Sequence, residues 1–136
     1  VPTIGRTERA AVVRTDFSDE AGWLALRDEM LADSPEGWRA YVDIVDDPGF
    51  DGFTAERVIE AVTEDYRYGF LLIVDAVALD TALQAVLVVD LSDEPGRSFR
   101  ALPSEVQSIE NNLSLANMDF VEFAESVGPD GVFRGF

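Results

Sequence analysis

The chain has no cysteine and no histidine, and all ten of its basic residues are arginine. Without cysteine it can form neither disulfides nor thiolate metal sites. Without histidine it lacks the usual general base near neutral pH and the commonest zinc ligand. Triads of the Ser-His-Asp or Cys-His kind are therefore excluded within it. The lack of lysine removes Schiff-base chemistry and the phosphate-binding lysine of a P-loop. An uninterrupted apolar stretch is missing too: Asp75, Asp80, Gln84 and Asp90 break the best candidate for a membrane span. The opening VPTIGRTERA lacks the apolar centre of a signal peptide. A cytoplasmic protein without a membrane association is the expectation.

Acid, by contrast, is abundant. Twenty-seven Asp and Glu leave a net charge of −17. The excess is uneven. Residues 16–65 hold fifteen acids against Arg27, Arg39 and Arg57, whereas Arg6, Arg9 and Arg14 outnumber Glu8 in residues 1–15. A field of this sign repels nucleic acid and anionic membrane. It favours a basic protein partner, a metal ion, or plain solubility, which is the default reading. The chain has 136 residues, 47% of them hydrophobic, enough for one domain with a real core.

The core should form around Gly69–Leu91. Two apolar runs, Phe70–Val74 and Ala85–Val89, are each closed by an aspartate, Asp75 and Asp90. Such runs read as buried central strands. AVALDTALQ between them is too short for a long crossover helix, so antiparallel pairing with a hairpin or short helical turn is expected. Upstream, residues 1–9 read as a loose arm and Ala10–Thr15 as a strand. A helix follows with Ser18 as its cap and Trp23, Leu26 and Met30 on one face. Residues 38–45 alternate as a strand near an edge. Thr54 caps a helix with Ala55, Val58, Ile59 and Val62 in a stripe. Downstream, Arg97–Leu102 reads as a strand. Pro103 opens a helix bearing Val106, Ile109 and Leu113, and Asn117 caps a last one bearing Phe120 and Phe123. VFRGF should pack back on the body. The expected fold is α+β: an α/β sandwich on a mixed, largely antiparallel five-stranded sheet with about four helices, as one domain over residues 1–136.

Four sets of residues could carry chemistry. Aspartates close several strands, and Asp16, Asp47 and Asp75 could together hold a divalent ion that activates water for hydrolysis. Aspartate is also common wherever a strand meets a turn. The loop from Asp46 to Gly52 lacks the spacing of a calcium loop and reads as a turn. Asn111 and Asn112 sit inside an apolar helical segment, where asparagine is a poor choice. They could end the helix, pin a neighbouring loop, or line a pocket, with Arg97 for a small anion; Asn117, read as a cap, is the third amide of the set. Arg14, Arg97 and Arg100 could form an anion pocket, though internal ion pairs are the stronger expectation in so acidic a chain.

The segments VRTDFSD (13–19), DEPGRSFRALPSE (93–105) and ENNLSLANMDFVEFA (110–124) resemble those of an uncharacterised bacterial family of unknown function, over nearly the whole chain. The resemblance implies a stand-alone single domain and carries over no catalytic residue. No cofactor is expected. The leading expectation is a binding protein for a basic partner, with a metal-dependent hydrolase as the alternative.

Overall fold

The computed structural model describes residues 1–80 and 82–136; Thr81, in the connection between the two apolar runs, lies outside the described residues. The runs are strands β3 (Phe70–Val74) and β4 (Val86–Asp90), paired antiparallel with Phe70 opposite Asp90 and Ile73 opposite Leu87. All five side chains of β3 are buried, as a strand covered on both faces requires. Strand β1 (Ala10–Arg14) lies beside β3 in parallel, and β2 (Val42–Val45) lies parallel on its far side. Beyond β4 come β5 (Ser98–Ala101), antiparallel, and β6 (Val132–Phe133), parallel to β5. The order across the sheet is β2-β1-β3-β4-β5-β6.

Alternate strand residues face opposite sides, and each side has its own core. Val12, Leu72, Val88 and Phe99 meet helices α1 (Glu20–Leu31), α3 (Ala76–Asp80), α4 (Val106–Ser114) and α5 (Phe120–Ala124), through Trp23, Leu26, Ala78, Ile109 and Phe123. Ala11, Val13, Leu71 and Ile73 meet α2 (Ala55–Ala61), Phe50 and Ile4. The result is three layers, with the sheet in the middle.

The α+β class and the mixed sheet are as the sequence predicts, with several corrections in detail. Among the described residues there are six strands and five α-helices, the additions being β6 and α3. Three of the five strand pairings are parallel, so the sheet is not largely antiparallel. The cause is connectivity. The stretches carrying α1, α2 and the α4–α5 pair each return the chain to the starting end of the sheet, and only the two short links around β4 reverse it. The N-terminal arm is not loose. Ile4 is buried and bridges Val62, donating to Ala61 O at 2.9 Å and accepting from Thr63 N at 2.9 Å. Helix α1 is capped by Asp19, whose carboxylate accepts from Gly22 N at 2.9 Å; the Ser18 hydroxyl is instead donated to Asp16. The strand expected over 38–45 forms only from Val42, because the Tyr41 amide is taken by the Glu110 carboxylate at 2.6 Å rather than by the sheet.

Candidate functional site

One end of the sheet gathers most of the charged residues that the sequence singles out. The Arg14 side chain is 2% exposed. Its guanidinium lies over Phe17 and Trp23 (4.2 and 5.0 Å to the ring centroids) and donates to Asp16 O, Glu20 and Asp46 at 3.0, 2.7 and 3.3 Å. Asp75 accepts two hydrogen bonds from Arg100, at 2.7 and 3.0 Å, and one from Ala78 N at 3.0 Å. Burial pushes the Asp75 carboxyl up, but the Arg100 hydrogen bonds, with the Ala78 amide and the cation's charge, hold it below the ordinary carboxylate range. Asp16 is occupied by the Ser18 amide and hydroxyl, and Asp47 by the Gly49 amide.

Open α/β sheets take ligands just beyond the carboxyl ends of their parallel strands. Here that position is covered. Thr15 N donates to Val74 O, Gly52 N donates to Thr15 O, and Phe50 is fully buried beneath the turn. Asp16, Asp47 and Asp75 thus have separate partners, and among the described residues no three carboxylates are placed to hold a metal ion. Asp90 lies at the opposite end of β3, facing Phe70, and its carboxylate accepts from Ser92 N and Glu94 N. The three arginines also stand apart. β3 and β4 separate Arg14 from Arg100, and Arg97 reaches Glu94 and Glu125. They form no common anion pocket.

The amides behave differently. Asn111 donates its NH2 to Gln107 O at 2.7 Å and to Arg39 O at 2.9 Å, and Asn112 donates to Ser108 O at 2.8 Å. Every one of those acceptors is a carbonyl, so the NH2 groups must face them. Each Oδ1 is left without a partner among the described residues. Together with the buried Glu110 carboxylate, Asn111 ties the segment at Arg39–Tyr41 to α4. That anchors Trp38, whose amide donates to Ser34 Oγ and whose carbonyl accepts from Ser34 N across a turn at Gly37 (φ 87°). The side chain of Trp38 nonetheless remains 62% exposed.

Between this turn and α4 lies a groove of about 370 Å³, lined by Glu36, Trp38, Gln107, Ser108, Asn111, Asn112, Leu115 and Asn117. Helix α4 ends beside it with Ala116 in the left-handed region (φ 56°), and the amides of Asn117 and Met118 both reach back to Asn112 O. Asn117 is therefore not a helix cap. That place belongs to Asp119, whose amide donates to the Glu122 carboxylate at 2.8 Å, because the left-handed turn consumes the residues before it. A second cavity, about 300 Å³, lies across the same segment, against Arg67, Tyr68, Ser92, Asp93, Met118 and Asp119. Sequence reasoning marked the three asparagines but missed Glu36, Trp38, Gln107 and Leu115. The usable signal was Ser34-Pro35 and Gly37, which turn the chain just where the alternating pattern of residues 38–45 begins.

These features define a three-layer α+β domain with a covered strand-end crevice and an open, amide-lined groove. It belongs to the family described as a domain of unknown function (DUF6924), whose model matches residues 9–136. That span contains all three segments on which the resemblance rests. No curated protein matches the chain. Among the described residues, no helix is long and apolar enough to cross a membrane.

Proposed function

We propose that the domain works by binding a basic protein partner, in the manner of toxin-neutralising immunity proteins or of DNA mimics, and that it does so in the cytoplasm. The observation that carries this reading is the uncompensated acid of residues 16–65. Glu29, Asp47, Asp51, Glu56, Glu60, Glu64 and Asp65 are exposed and have no ion-pair partner among the described residues. The arginines of this half are already engaged: Arg27 pairs with Asp28 at 3.4 Å, Arg39 pairs with Asp33 at 3.0 Å, and Arg57 lies 3.9 Å from the Phe53 ring centroid. A surface of one sign steers an oppositely charged partner and raises its association rate. Engagement of Asp16, Asp47 and Asp75 with local partners supports binding over metal-assisted hydrolysis.

The test is capture from cell extract with the immobilised domain, identification of what is retained, and association kinetics of the purified partner across ionic strength. A basic protein whose association rate falls steeply as the screening length drops to about 10 Å or less near 0.1 M salt is the expected result. Retention of neutral or acidic proteins alone, or kinetics indifferent to salt, overturns the proposal.

A further inference from the structure

We infer that the groove between Trp38 and the end of α4 is an arginine-reading subsite, receiving an arginine side chain of that basic partner. The inference rests on the binding role proposed above and assigns it a place and a chemistry.

The groove offers unmatched acceptors beside the side-chain donors of Gln107, Ser108 and Asn117. The NH2 groups of Asn111 and Asn112 are spent on main-chain carbonyls, which leaves their oxygens unmatched on residues that line the groove. Glu36 adds an exposed carboxylate with no ion-pair or hydrogen-bond partner among the described residues. Among the described residues no arginine lines the groove, so no cation in it neutralises Glu36. The cavity across the segment differs on this point, because Arg67 lines it.

Trp38 supplies the other half of the recognition. Its ring is exposed while its backbone is held at both ends, so a flat apolar surface stands ready at little ordering cost. Leu115, 70% exposed, also lines the groove. A guanidinium is planar, weakly hydrated and rich in donors; it stacks on indole while its N–H groups reach carboxylate and amide oxygens. Its aliphatic stem would cover Leu115. Ammonium has the charge but neither the flat face nor the fork of donors, so lysine should bind less well. The groove's volume lies within the usual range for ligand sites, roughly 300–1,000 Å³.

The probe is a blocked hexapeptide alternating arginine and leucine, compared with versions carrying lysine or the neutral isostere citrulline. Binding is read by amide chemical shifts and by the emission of Trp38, with fully buried Trp23 as internal reference. The arginine peptide should shift amides of residues 36–39 and 107–117. It should lose about tenfold in affinity on Trp38→Ala, on Glu36→Gln and on replacement of arginine by citrulline. The thermal midpoint of Trp38→Ala should stay near that of the parent, since the ring is largely in solvent. If the peptide binds but maps onto residues 46–65 and ignores Trp38→Ala, the groove assignment is overturned while the partner reading stands. Equal binding of the citrulline peptide also overturns the assignment, because the groove would then read apolar shape and not charge. Absence of binding by both the peptide and every basic protein at low salt removes both readings.

Discussion

At the carboxyl end of the parallel strands, Arg14 pairs with Glu20 and Asp46, Arg100 pairs with Asp75, and Asp16 closes its own turn. Beside the end of α4, Trp38, Asn111 and Asn112 are held by hydrogen bonds yet keep a ring and two amide oxygens unspent, and the exposed Glu36 carboxylate beside them has no partner among the described residues. The first region has the residue types usually associated with catalysis, and the second has types that sequence reasoning treats as structural. What separates them is availability. A charged group already paired inside the fold contributes to stability, whereas one that is positioned but unpaired can bind something else.

Substitutions can break or sharpen that contrast. The largest effect expected is from Arg14→Ala, which empties a buried site over Phe17 and Trp23 and should cost about 3 kcal/mol by denaturant titration. Trp38→Ala should stay within about 0.5 kcal/mol on the same measurement. Equal losses from the two would erase the distinction. Next in size is Asp75→Asn, which removes a charge-assisted pair and should cost about 1.5 kcal/mol at neutral pH. Because the folded carboxyl titrates below its unfolded value of about 3.9, its contribution is complete above that pH and is lost as pH falls through the lower folded value. The stability curves of the parent and Asp75→Asn should therefore converge in acid; a gap that persists there would assign the stabilisation to something other than the ion pair. The smallest effect is that of divalent ions. Mg²⁺, Mn²⁺ and Ca²⁺ should each raise the thermal midpoint slightly and alike, by screening a chain of net charge −17. A large ion-selective rise abolished by Asp16→Asn or Asp75→Asn would return metal chemistry to the strand ends.

Much of the fold is local in origin and could be read. The apolar runs of β3 and β4, the stripe of α2 and the face of α1 each follow from the period of their own residues. What could not be read depends on distant partners. Alternation over residues 38–45 describes a strand well, but the first half is claimed by Glu110 and Asn111, far along the chain. Strand β6 has only two residues, too few for any period to register. The site was half legible for the same reason. Asn111 and Asn112 stood out because asparagine suits a helix interior poorly. Ser34-Pro35 and Gly37 mark a turn beside Trp38 but do not say that its ring remains outside.

Strand β1 sits between β2 and β3, with Val12 beside both Ile44 and Leu72. Both partners come much later in the chain, while β3, β4 and β5 follow one another through short links. The chain can therefore close its antiparallel half early, whereas β1 reaches β3 only when the loop back to Leu72 is closed. Loop-closure entropy makes such pairings slow. The β1–β3 pairing closes the longest loop of any strand pair among the described residues. During the wait an apolar strand is exposed to other copies, and the repulsion between highly acidic chains keeps those copies apart.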